Sequence, residues 1–194
     1  MLLKLANFFS ILFHPMVVAA FTFGVLVYGS DNNSNPHLIF FISFLFTTLL
    51  TIATVLFLKK EGEISDFDAS IREQRVQPLV YGTIYYSFGF FLLKYLQAPI
   101  LVQGLMFCYA LNTAIVWLIT RYWKISIHAI GLGGPLVALW IFGIQEPVIM
   151  SVSMILVCIS RIILKAHTPT QVIAGIALSI GLAYTELTYL FLKT

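Results

Sequence analysis

Apolar residues occur along this chain in seven long runs, at about 7–29, 37–58, 79–97, 99–119, 126–144, 147–164 and 170–191, separated by short polar stretches. Each run is close to the roughly 20 residues that a helix needs to cross about 30 Å of hydrocarbon. The pattern predicts an all-α fold: a polytopic membrane helical bundle of six to seven transmembrane helices. Little chain is left for loops, and no internal repeat or linker interrupts it. One integral membrane domain over 1–194 is expected, with 1–30 as an additional first helix. The first run is too long for a signal peptide and no small-residue cleavage site follows it, so it reads as the first span.

Composition supports that reading. The chain is 60% hydrophobic and 10% charged, with a mean hydropathy of +0.96, which points to membrane lipids as its surroundings. A net charge of +3 without a basic run interleaved with aromatics offers nothing to nucleic acid. Cys108 and Cys158 fall inside apolar runs without a metal-ligand spacing and read as small buried hydrophobes. Trp117, Tyr122 and Trp123 suit an interfacial belt.

If seven spans alternate in direction, the N-terminus and the second, fourth and sixth loops share one face. That face collects Lys4, Lys59, Lys60, Arg72, Arg75, Arg121, Lys124, Arg161 and Lys165, nine of the eleven Lys and Arg residues. The excess of cations makes it cytoplasmic by the positive-inside rule. The same face gathers three polar stretches that precede or open helices: DFDASIREQRVQP (66–78), KISIHAIG (124–131) and SRIILKAHTPTQV (160–172). Helix starts present unpaired N–H groups and the positive end of a dipole, so their convergence favours an anion. In the third stretch Thr168, Pro169 and Gln171 fit a helix start with a capping box, leaving His167 just outside the helix.

Arg72, Arg75, Ser126, His128, Ser160, Arg161 and His167 therefore meet on one face. Guanidinium groups match phosphate oxygens, a hydroxyl adds a donor, and two histidines suit attack at phosphorus and protonation of a leaving oxygen. This constellation resembles that of the type 2 phosphatidic acid phosphatase superfamily of membrane lipid phosphatases, whose motifs are K-x6-R-P, P-S-G-H and S-R-x5-H-x3-D. Ser160, Arg161 and His167 keep the spacing of the third motif, with Gln171 in place of the final aspartate. Ser126 and His128 keep half of the second. In the first, Arg75 takes the arginine position, Asp68 stands where lysine is expected, and the proline comes late, at Pro78. The match covers roughly 59–190, and the REQR…P and HTP.QV.AG pattern is similar to a divergent bacterial branch.

The resemblance implies hydrolysis of a lipid phosphate or polyprenyl diphosphate through a phosphohistidine without a metal cofactor. His167 would be the nucleophile, His128 the general acid, and Arg72, Arg75, Ser126, Ser160 and Arg161 the phosphate clamp. Gln171 would orient His167 without the charge of the family aspartate. The resemblance also implies a bacterial inner membrane with the site on the periplasmic side, opposite to the charge count. Asp66, Asp68 and Glu73 belong to an acidic loop that either balances its own cations or supplies an auxiliary acid. Two other readings use the same site: a lipid-phosphate carrier without hydrolysis, and a transferase or cyclase that ionises a prenyl diphosphate with Mg²⁺.

Five further features read as structural. His14 precedes Pro15 inside the first run and fits a hydrogen-bonded kink; His37 suits an interface; Asn112 suits an interhelical bond. Glu186, expensive in a membrane at about 2.5–3.5 kcal/mol on insertion scales, lies about 22 Å beyond Gln171 along a helix and is expected to pair within the bundle or near the opposite interface. The glycines at 131, 133 and 134 suit close helix contact or a break.

Overall fold

A computed structural model describes residues 1–31 and 35–193. Among the described residues the fold is all helical, without strands. We number eight helices: α1 (Leu2–Leu12), α2 (Pro15–Tyr28), α3 (Pro36–Lys60), α4 (Val76–Tyr95), α5 (Ile100–Thr120), α6 (Ile127–Phe142), α7 (Pro147–Ile163) and α8 (Pro169–Leu192). They coincide closely with the apolar runs, yet among the described residues only α3, α5 and α8 are both long and apolar enough to cross a membrane. α1 and α2 qualify together as a fourth, bent by 43°. α6 and α7 have 16 and 17 residues, which at 1.5 Å per residue falls a few ångströms short of a roughly 30 Å hydrocarbon layer.

The bend divides what the apolar pattern predicts as one span over 7–29. Pro15 lacks an N–H and its ring disfavours helical backbone at the preceding residue, so His14 is extended at φ −62° and ψ 137° and becomes the N-cap of α2. Its Nδ1 accepts the Met16 N–H at 3.4 Å. The polar face of the molecule thereby gains a histidine from the middle of the first run.

Phe23 and Leu26 of α2, Leu93 of α4, Leu105 and Met106 of α5, and Leu187 of α8 interlock in one buried core. α1 lies along α7, and α6 along α8 and α2. Gly131 is the close-approach point between α6 and the bend: a Cβ there would meet the Pro15 Cβ at 2.6 Å. α6 remains unbroken through Pro135, so these glycines serve contact between helices rather than a break. Phe21, Phe88, Phe91, Val148, Ile149 and Ile173 cover the outside with exposed apolar groups. That exterior, with the long apolar helices, is compatible with a lipid surrounding.

Candidate functional site

The polar stretches before α4, α6 and α8 meet at one end of the bundle, joined by buried arginines. Arg75 closes a single 3₁₀ turn, Glu73–Arg75, and is only 2% exposed. Its Nε donates to the Ala69 carbonyl at 2.8 Å, its Nη1 to the Ile125 carbonyl at 2.9 Å, and its Nη2 lies 3.5 Å from His167 Nε2. Ala69 holds a left-handed backbone, φ 44°, uncommon for a residue with a Cβ; this strained turn aims its carbonyl at Arg75. Burial, then the Arg161 charge, lower the Arg75 pKa to about 10.

His167 sits just before α8. Its Nδ1 is 3.1 Å from Gln171 Oε1, which also accepts the Thr168 N–H at 3.2 Å, while Thr168 Oγ1 accepts the Gln171 N–H at 3.4 Å. The expected capping box is therefore formed. A backbone N–H can only donate, so the Gln171 atom it meets is the oxygen, and His167 Nδ1 must carry the proton that faces the same oxygen. Nε2 then holds the lone pair, covered by Arg75. Burial, followed by the Arg75 charge, lowers the His167 pKa to about 3, so the ring stays neutral near pH 7.

Arg161, 3% exposed, donates through Nη1 to Asp68 Oδ2 at 2.8 Å and to Ser10 Oγ at 2.7 Å. Its buried Nε has no hydrogen-bond partner among the described residues. Ser10 Oγ in turn lies 3.4 Å from His128 Nε2. Asp68 Oδ1 is 3.9 Å from His14 Nε2, and the rings of His14 and His128 meet edge to face with centroids 5.1 Å apart. Donor atoms of His14, Asp68 and His128 lie within 4.8 Å of one another, a spacing that an ion could bridge; the Arg161 guanidinium already occupies the other oxygen of the carboxylate.

Other expected site residues are placed differently. Arg72 points outward: Glu73 Oε1 accepts its Nη2 at 2.7 Å, and its Nη1 reaches the Tyr122 carbonyl at 2.8 Å. The adjacent, exposed Glu73 competes for it, so Arg72 and Arg75 do not act as a pair. Ser126 is the N-cap of α6, accepting the Ala129 N–H, and Ser160 donates to the Val157 carbonyl at 2.7 Å within its own helix. Neither hydroxyl is directed at the arginines. Asp66 folds the acidic loop by accepting the N–H groups of Asp68 and Ser70.

A cavity of about 160 Å³ opens at His14, Asp68, Arg75 and His128 and continues between helices past Val55, Leu79, Tyr86, Leu105 and Tyr109 to Asn112. Charged groups line one end and apolar side chains most of the rest. Asn112 Nδ2 donates to Glu186 Oε2 at 3.2 Å, so Glu186 is paired within the bundle. Comparison with family models, curated proteins and solved structures finds no match.

Sequence reasoning placed no site residue in the first 30 positions, yet Ser10 and His14 belong to the polar cluster. The available signal was the pair His14 and Pro15, polar and helix-breaking within an apolar run, with Ser10 one turn earlier. Which face of the bundle the bend would meet could not be read from it.

Proposed function

We propose that the chain is a divergent member of the type 2 phosphatidic acid phosphatase superfamily, a membrane protein with the six to seven spans that its apolar runs predict, and that it releases phosphate from a lipid phosphate or prenyl diphosphate. The observation that carries this reading is a surplus of buried positive charge: two guanidinium groups, Arg75 and Arg161, are nearly inaccessible, and among the described residues only Arg161 is paired with a carboxylate, Asp68. Buried charge without compensation is costly, and a bound phosphate would supply the missing negative charge. The apolar continuation of the cavity suits an attached hydrocarbon chain.

In this mechanism a phosphate oxygen takes over the Arg75 Nη2–H that now faces His167, which uncovers the Nε2 lone pair. Nε2 attacks phosphorus while Arg75 and Arg161 hold the oxygens, and a histidine across the cavity, His128 by the family pattern, protonates the departing oxygen. Gln171 fixes the tautomer throughout. Water then hydrolyses the phosphohistidine. By charge count the site would face the cytoplasm, by resemblance the periplasm; cysteine labelling in the loop at 61–72 in intact cells decides between them.

The neutral Gln171 is the one feature that favours a second reading, a lipid-phosphate carrier that binds without turnover. Purified protein screened on lipid phosphates and prenyl diphosphates, with Mg²⁺ or with EDTA, separates these. Phosphate release in EDTA that His167→Ala abolishes supports the hydrolase. Saturable binding dependent on Arg161, without release even in Gln171→Asp, supports the carrier. Hydrocarbon products that require Mg²⁺ would indicate a transferase or cyclase.

A further inference from the structure

The cavity that begins at the buried charges is closed at its far end. Its apolar part runs along α5 from Val116 to Leu105, eleven residues further back in the chain, or about 16 Å at about 1.5 Å per residue. Facing residues of α4 mark the same levels: Leu79 packs with Val116, and the Tyr86 and Tyr109 rings meet edge to face with centroids 5.4 Å apart. Leu105 is fully buried, and Leu93 and Val102, on the next turns, are fully buried in the same core. Along one flank, Thr51 Oγ1 lies 3.4 Å from Tyr86 Oη and Thr54 Oγ1 lies 2.9 Å from Tyr85 Oη, which ties α3 to α4. A compact apolar cavity of about 150 Å³ admits a single benzene ring. The present volume of about 160 Å³, drawn out over its depth, has the width of one chain.

The geometry points to a length-limited pocket: one hydrocarbon chain, alkyl or prenyl, of the roughly twelve backbone carbons that span about 16 Å, runs from a phosphate at Arg75 to a floor made by Tyr86, Tyr109 and Leu105. This names the substrate class for the hydrolytic reading given above and rests on it. A second chain of the same lipid stays outside the cavity. The chain exchanges one apolar medium for another, so each added methylene gains little, and selection is steric. Carbons beyond the floor have to enter a close-packed core, where overpacking is costly. Chains that end above the floor therefore react alike, and longer ones are rejected. Gly82 lines the cavity above that floor. The three atoms nearest to a Cβ at this position all belong to the Tyr86 side chain, at 3.3–3.6 Å, so a larger residue projects into the cavity.

The test measures phosphate release in EDTA by full-length protein from n-alkyl phosphates of eight to twenty carbons, from geranyl, farnesyl and geranylgeranyl diphosphates, and from a dialkylglycerol phosphate. Pairs of substrates compete in the same mixed micelles, so the ratio of their kcat/KM values does not depend on how much of a variant is folded. Wild type should treat chains of up to about twelve backbone carbons within about threefold of one another and disfavour those of about sixteen or more at least tenfold. Gly82→Leu, which replaces a helix-interior glycine by a good helix former, should move the cutoff down by about four carbons. Leu105→Ala opens the floor and should move it up by about two carbons. Turnover of the alkyl or the prenyl series alone identifies the chain type, and the same cutoff within that series supports the pocket. Hydrolysis without a cutoff, a cutoff that neither variant moves, or release from the dialkylglycerol phosphate and from no single-chain compound would overturn the length-limited pocket and leave the hydrolase intact. Wild-type protein silent on every compound overturns the hydrolytic reading and this inference with it.

Discussion

Replacing Gln171 by glutamate changes one atom and adds one charge at the oxygen that holds His167. Glutamate is equally suited to the capping box, so the contacts of that oxygen with Thr168 N and His167 Nδ1, at 3.2 and 3.1 Å, should persist. When Nε2 attacks phosphorus the ring becomes positively charged, and a full charge pair at 3.1 Å is worth about 5 kcal/mol at an effective dielectric of about 20. Charge is only partly developed in the transition state and solvent screens the exposed cap, so about 2 kcal/mol is the expected gain. At 1.36 kcal/mol per factor of ten this is about 30-fold in kcat. The same energy raises the His167 pKa by about 1.5 units from its value of about 3, which leaves the ring neutral at pH 7. The assay is initial phosphate release from a dialkylglycerol phosphate in mixed micelles with EDTA, at pH 5–9. A folded Gln171→Glu protein with kcat within about twofold of wild type would refute the argument and reduce Gln171 to a helix cap.

Arg72→Ala removes an exposed pair with Glu73 and should cost less than about 1 kcal/mol, with activity within about twofold; a tenfold loss would return Arg72 to the phosphate clamp. Arg75→Lys keeps the charge but not the fork that reaches Ala69, Ile125 and His167, and thermal unfolding should show a loss of about 2 kcal/mol or more. Gly131→Ala should displace the bend by the 2.6 Å contact with Pro15 and lower lipid turnover at least tenfold, whereas unchanged turnover would mean that the bend need not be held so closely. His167 binds its proton less readily folded than unfolded, so the unfolded chain binds more protons between about pH 3 and 6.5. Stability should therefore be complete above about pH 6.5 and decline as pH falls through that window, and His167→Gln should flatten the decline in melting experiments.

The periodicity of the chain was enough to determine where helices form, because a run of about 20 apolar residues has few other ways to satisfy its backbone in lipid. Spacing alone also determined the start of α8, since Thr168, Pro169 and Gln171 act within one turn and their capping depends on no distant residue. Arg161 and His167 were legible for a related reason, through a short motif beside that cap. What required the tertiary structure was every relation between turns that are distant in sequence. Arg72 and Arg75 are equally basic in the sequence, but only Arg75 faces Ile125 and His167, because Glu73 draws Arg72 outward. Asp68 looked like one of several loop acids until Arg161, 93 residues away, took its carboxylate. His14 read as a kink residue because its neighbours in sequence are apolar; the 43° bend and Gly131 are what bring it to Asp68 and His128. Local chemistry determines helices and caps, while the partners of a buried charge depend on which faces pack together, and no pattern along a single chain specifies that.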